Sequence, residues 1–264
     1  MSTIAATARP VRAVGAMSPW RLELLRMVRS PRAIALGAVY LFFGLLGLIM
    51  AKYMQDIVNR FQSGVTIVVA HPTPQNGIAN YIGQASQTGL IVVVVVAAGA
   101  LTFDSRRGLS TFLRTRADNM WQLVAPRFTV SATAAVAAYT LGTLGAWYET
   151  TMLLGSLPAP AMLAGMLCGS VFLVFAVSVA AAAASLARGT LGAVGIAIGV
   201  LLVLPIIGVV GPLGHWLPSA LVTAPVQLLG SSSLGDYAPA LVVAGVASVV
   251  LVAAATWQLG RREV

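Results

Sequence analysis

Cysteine and charged residues are both scarce in this chain. It has 1 cysteine, Cys168, and 9% of its 264 residues are charged, whereas an average soluble domain carries about 25%. A single cysteine excludes an internal disulfide and a thiolate metal cluster, and its place in an apolar stretch indicates a packing role. Because 58% of the residues are hydrophobic, the composition is typical of a protein that lies in a lipid bilayer.

Residues that could bind a nucleotide or a metal are also few. A phosphate-binding loop needs a lysine behind a glycine-rich turn, but the only lysine, Lys52, has no such neighbours. His71 and His215 are far apart in the sequence and lack clustered acidic or cysteine partners, so a metal site is not indicated. We therefore expect no catalytic residue, metal or cofactor in this chain, and an integral membrane enzyme is a disfavoured interpretation.

Six apolar stretches dominate the rest of the sequence. Each is close to the length of about 20 residues that a helix needs to cross a bilayer. This pattern predicts an all-α, polytopic membrane protein with six transmembrane helices in one membrane domain, residues 1–264. The predicted spans are 33–51, 86–103, 128–147, 161–186, 191–210 and 240–257.

The basic residues are distributed unequally between the two sides of these spans. Of the 16 lysines and arginines, only Lys52 and Arg60 fall on the side opposite the N-terminus. The positive-inside rule then predicts that both termini are cytoplasmic, and we expect a multi-pass protein of the inner (plasma) membrane. Arginines that flank spans meet anionic lipid headgroups, so membrane lipid is the expected partner of this charge and nucleic acid is not.

Two segments outside the spans also have helical patterns. Within residues 1–32, Ser18 and Pro19 suit the start of a helix, and the amphipathic stretch that follows predicts a cytoplasmic elbow helix in the membrane interface. Within the outer segment 211–239, residues 218–229 are too apolar for a free loop and too short to span, which predicts a re-entrant or interfacial helix. The apolar face of the first segment comprises Trp20, Leu24, Met27 and Val28, with Glu23, Arg26 and Arg29 mostly opposite.

The stretch between the second and third predicted spans, residues 104–127, is the most informative one and is termed the arginine segment here. It is longer than two neighbouring helices need for a turn. Its apolar residues recur at roughly helical spacing, which predicts an amphipathic helix. Its five arginines are Arg106, Arg107, Arg114, Arg116 and Arg127.

The arginine segment resembles a known signature. The run Phe-Asp-Ser-Arg-Arg-Gly-Leu-Ser-Thr-Phe-Leu-Arg-Thr at 103–115, with Trp-Gln-Leu-Val-Ala-Pro-Arg at 121–127, resembles the one that follows the second span of type-2 ABC exporter permeases. The likeness extends to the elbow before the first span and to the basic C-terminal tail. It departs from the family at Asp104, where glutamate is usual, and at Arg116, where proline is usual.

The resemblance implies a function and partners. The arginine segment would be a coupling helix docked on a separate ABC ATPase subunit, which binds the ATP and Mg²⁺, and a second permease subunit would complete a homo- or heterodimer. The chain would form the path for export of an amphiphilic or hydrophobic substrate. The implied ATPase-coupling residues are Arg106, Gly108, Phe112, Leu113, Arg114 and Trp121.

Other interpretations remain open at this point. The arginine segment could instead lie on anionic lipid, and the chain could be a stand-alone secondary transporter or channel. Glu149 adjoins the outer end of a span, where it is either a hydrated interfacial residue or a contact in the substrate pathway. Two glycine pairs, Gly165/Gly169 and Gly195/Gly199, have the four-residue spacing that lets helices approach closely.

Overall fold

The computed structural model describes residues 18–61, 73–102, 119–209 and 211–261. Every regular element in these ranges is helical, which confirms the predicted all-α class. A π-helical turn, Ala85–Gly89, joins the helix Pro74–Gln84 to the helix Leu90–Leu101, and 3₁₀ turns cover Gly211–Trp216 and Leu234–Tyr237. The α-helices are α1 (Pro19–Arg29), α2 (Pro31–Phe61), α3 (Pro74–Gln84), α4 (Leu90–Leu101), α5 (Trp121–Leu153), α6 (Ala159–Leu186), α7 (Thr190–Gly208), α8 (Ala220–Gln227) and α9 (Ala238–Arg261).

Five helical stretches are long and apolar enough to cross a membrane. They are Pro74–Leu101, α5, α6, α7 and Leu234–Arg261. A bent pair, Pro19–Arg29 with Pro31–Gly47, brings the number to six when it is counted as one span, and its two parts meet at 58°. The molecule is therefore a helical protein with five or six candidate membrane spans.

Several helices are longer than their predicted spans. α5 begins at Trp121 and ends at Leu153 rather than covering 128–147, and the second stretch begins at Pro74 rather than at 86. Both extensions contain polar residues, such as Arg127 and Gln84, which lower hydropathy without interrupting helical hydrogen bonding. Hydropathy therefore detects the apolar part of a helix and not its ends.

The first bend follows from local sequence. α1 begins at Pro19, as predicted, although the Ser18 side chain makes no capping hydrogen bond. At its other end, the Ser30 hydroxyl donates to the carbonyl of Met27 at 2.9 Å. Pro31 then starts α2 because its ring suits a first helical position and disfavours helical geometry in the residue before it.

α6 is the central helix of the bundle. It packs against α4, α5, α7, α8 and α9, and 67% of its most apolar 18-residue stretch is buried. Gly165 and Gly169 allow two of these approaches: a Cβ at Gly165 would lie 2.6 Å from Cα of Pro225 in α8, and one at Gly169 would overlap the Tyr139 hydroxyl of α5. The packing role predicted for this glycine pair is confirmed.

The short helix α8 enters the bundle rather than resting on its end. Pro225 contacts Gly165, which lies about 9 Å along α6 from its first residue. The side chain of Leu221 is completely buried. Near its end, the chain is held to α3 by the Gln75 amide, which donates to the carbonyl of Leu229 at 2.6 Å.

Candidate functional site

The predicted coupling residues are only partly covered by the structure. Arg106, Gly108, Phe112, Leu113 and Arg114 lie outside the described residues. Trp121 is described: it is the first residue of α5, its side chain is 49% exposed, and its amide donates to the side-chain oxygen of Asn119 at 3.1 Å. Residues 121–127 of the arginine segment thus form the first turns of a long span helix.

An ion pair at the end of the arginine segment joins α1 to α5. Arg127 Nε donates to Glu23 Oε1 at 2.9 Å, and the two side chains are only 6% and 17% exposed. Arg26 approaches the same oxygen at 3.6 Å, but its side chain is 53% exposed. The short, buried contact to Arg127 is therefore the stronger of the two, since solvent screens the exposed pair.

The pair explains how α1 is oriented. Met27, next to Glu23 on the helix surface, is buried, whereas Leu24 and Val28 are 53% and 63% exposed. The side of α1 that packs on the bundle is therefore the one that carries Glu23, and much of the predicted apolar face points outward. An outward apolar face beside arginines suits the boundary between hydrocarbon and lipid headgroups.

Sequence reasoning did not identify this pair. The sequence places Glu23 mostly on the polar face of α1 and Arg127 at the end of the arginine segment, but it does not pair them. One signal was available, because Glu23 is the only acidic residue before Asp56 in a strongly basic region. A lone carboxylate among arginines is a candidate for a specific ion pair, but its partner depends on the tertiary arrangement.

The arginine segment is held to neighbouring helices on both sides, by Thr102 just before it and by Arg127 at its end. At the end of α4, the Thr102 hydroxyl is 2.8 Å from the carbonyl of Ala98 and 2.8 Å from the hydroxyl of Thr190 in α7. At the start of α5, Arg127 is fixed to Glu23 of α1. A displacement of the segment would therefore reach α7 through one end and α1 through the other.

Glu149 lies at the opposite end of α5. It is about 33 Å along the helix from Arg127, close to the thickness of the hydrocarbon core of about 30 Å. The adjacent Tyr148 is 65% exposed. Within the described part of the chain, Glu149 Oε2 is buried and has no hydrogen-bond partner. The carboxylate thus lies near the end of α5 that is far from Arg127, and its role stays a prediction.

α7 is the least enclosed of the candidate spans. Only 17% of its most apolar stretch is buried. Gly195 and Gly199 lie on its open side, where a Cβ at either position would meet nothing within 4 Å. This second glycine pair therefore has no packing partner within the described chain, unlike the pair on α6.

Comparisons with known proteins identify no family. No protein-family model matches the chain, and no curated protein matches it. Among the described residues, no group of three or more His, Cys, Asp or Glu side chains could hold a metal ion.

Proposed function

We propose that this chain is the membrane-spanning permease subunit of an ATP-driven ABC exporter, with the arginine segment as its contact to a separate ATPase subunit. α1 is the cytoplasmic elbow helix, α2 supplies the first of six spans, and α8 is the re-entrant helix. Both termini lie on the cytoplasmic side of the plasma membrane. The ATP and Mg²⁺ belong to the partner subunit.

The observation that carries the proposal is the position of the arginine segment. It carries the family-like signature and lies between two candidate spans, and each of its ends is held to a second helix, by the Thr102–Thr190 contact and by the Glu23–Arg127 pair. A push by an ATPase that moves these two ends would be transmitted to α1, α4, α5 and α7. Such rigid connections are what coupling of ATP hydrolysis to span movement requires.

The open face of α7 supports a second permease subunit. A 19-residue apolar helix with so little burial, whose glycine pair has no close neighbour among the described residues, is suited to close packing against a helix from another chain. Two such chains would enclose the transport path. Walls with so little charge favour an amphiphilic or hydrophobic cargo.

The decisive experiment changes Phe112 and Leu113 to aspartate and measures co-purification with a candidate ABC ATPase subunit that is expressed together with this chain. We expect the double variant to insert normally but to lose the ATPase and transport, because two buried charges cannot be accommodated in an apolar docking groove. Leu213→Asp is the control. Leu213 is 58% exposed near the opposite end of the bundle, so the same change of chemistry there should leave the ATPase bound.

Two results would count against the proposal. If the Phe112→Asp, Leu113→Asp variant kept its ATPase and its transport, the assigned contact would be wrong. If the purified chain moved substrate in liposomes without any ATPase, the alternative of a stand-alone secondary transporter or channel would replace it.

A further inference from the structure

A small cavity lies inside the helix bundle, far from the arginine segment. Its volume is about 30 Å³, enough for about two water-sized groups. It sits about 18 Å along α5 from Arg127, beyond the middle of a hydrocarbon core of about 30 Å. We call it the tyrosine cavity, and its main lining residues are Tyr40, Ser86, Leu90, Tyr139, Gly169 and Phe172.

Two tyrosine hydroxyls at this cavity have no hydrogen-bond partner in the described part of the chain. Tyr40 and Tyr139 are 1% and 5% exposed, and within the described residues neither hydroxyl has a partner. The neighbouring Tyr81 differs, because its hydroxyl is 3.2 Å from the carbonyl of Tyr139 and 3.1 Å from the Thr143 hydroxyl. Burying a hydroxyl without a partner costs free energy, and the cost is largest where water is scarce.

The bundle is shaped to keep these two hydroxyls in place. The Tyr40 and Tyr139 rings meet edge to face with centroids 6.0 Å apart. A Cβ at Gly89 would lie 2.9 Å from the Tyr40 ring, and one at Gly169 would overlap the Tyr139 hydroxyl. Side chains are thus absent at the two places where they would displace the hydroxyls.

A π-helical turn forms one wall of the same cavity. Ala85 and Ser86 belong to the turn Ala85–Gly89, and Leu90 follows it directly. Such turns are rare and occur mostly at functional sites. Ser86, Leu90 and Val222 of α8 line the cavity and are partly exposed, so the cavity opens to the surface between the π-helical turn and α8.

From this arrangement we infer that the tyrosine cavity binds the neutral, oxygen-bearing end of an otherwise apolar molecule, such as a ketone, ester or ether. The two phenol O–H groups donate to the oxygen. The apolar remainder of the molecule extends out of the cavity between Leu90 and Val222. None of the lining residues among those that the structure describes is charged, so a carboxylate or ammonium end would be excluded. That this molecule is the exported cargo rests on the proposed function, whereas the binding itself does not.

The test uses two photoreactive diazirine probes with the same alkyl chain. One probe ends in a methyl ketone, and the other is a hydrocarbon. Wild-type protein in nanodiscs should be labelled near the cavity by the ketone probe in preference to the hydrocarbon probe. Tyr40→Phe and Tyr139→Phe should each weaken ketone labelling about fivefold, the factor expected for one hydrogen bond. Tyr148→Phe, the same change at an exposed position, should have no effect.

Thermal unfolding gives a second measurement on the same variants. The ketone probe should raise the unfolding temperature of the wild type and not that of the Tyr40→Phe, Tyr139→Phe double variant, which keeps both rings. Equal labelling by the two probes, or ketone labelling unchanged in the double variant, would overturn the inference and leave ordered water as the occupant. These assays need no ATPase, so they stand apart from the failure or success of the exporter proposal.

Discussion

At the scale of single residues, Glu23 and its two arginines allow a controlled test of one ion pair. Glu23 Oε1 lies 2.9 Å from Arg127 Nε and 3.6 Å from Arg26 Nη1. We expect Arg127→Gln to lower the free energy of unfolding by about 1.5–3 kcal/mol, the usual contribution of a buried hydrogen bond to a charged group. Arg26→Gln should cost less than about 1 kcal/mol, because its pair is exposed to solvent. Unfolding of detergent-solubilised protein would compare the two.

The same pair distinguishes a local from a general charge effect. In the double variant Glu23→Arg, Arg127→Glu, the contact is reversed in sign and a large part of the lost stability should return. If Arg127→Gln and Arg26→Gln lowered the free energy of unfolding equally, stability would depend on the net charge and not on the geometry of the ion pair.

Single residues also show what the sequence could and could not predict. Cys168 was expected to pack in the bundle, and it is completely buried, because an isolated apolar residue in an apolar run has few other roles. The contacts of Gly165 and Gly169 were likewise foreseeable as close packing. The Glu23–Arg127 pair and the tyrosine cavity were not, because each joins residues that are distant in the sequence.

At the scale of helices, α2 and α5 cross where glycine replaces side chains on both. A Cβ at Gly142 would lie 2.6 Å from the backbone oxygen of Tyr40, which cannot move away cheaply, whereas a Cβ at Gly145 meets only flexible leucine atoms at 3.9 Å or more. We expect Gly142→Ala to destabilise the protein by about 1–3 kcal/mol through overpacking. Gly145→Ala should be neutral or slightly stabilising, since alanine is the better helix former.

Unfolding temperatures of the two alanine variants would measure this difference directly. They lie one turn apart on the same helix, so membrane insertion and expression should be comparable. A Gly142→Ala variant as stable as Gly145→Ala would mean that α2 and α5 do not cross at this point.

Helix positions were more predictable than helix ends. The stretch 161–186 agrees closely with α6 (Ala159–Leu186), because Pro158 precedes it and Arg188 follows it. Residues 218–229 were expected to form a short helix, and α8 covers Ala220–Gln227. The sequence does not predict that α3 begins at Pro74, because the polar residues Gln75, Asn76 and Asn80 lower the hydropathy of a helix that is only partly apolar.

At the scale of the whole molecule, the open face of α7 predicts how two chains meet. Cys168 is the only cysteine and is buried, so a Cys168→Ala background allows one new cysteine to report on one contact. Gly199→Cys should form a disulfide-linked dimer in membranes under mild oxidation, because helices that pack through glycine pairs bring these positions close to each other across a two-fold axis.

Gly245→Cys on α9 is the matched control for the dimer. A Cβ there also meets nothing within 4 Å, and α9 is likewise exposed, with 28% of its apolar stretch buried. Exposure to lipid is thus similar at the two positions, and only the proposed α7 interface distinguishes them. Cross-linking at Gly199 and not at Gly245 would place α7 at the subunit contact. Cross-linking at Gly245 alone would show that the interface lies elsewhere. Equal cross-linking at both positions would show only random collisions between chains.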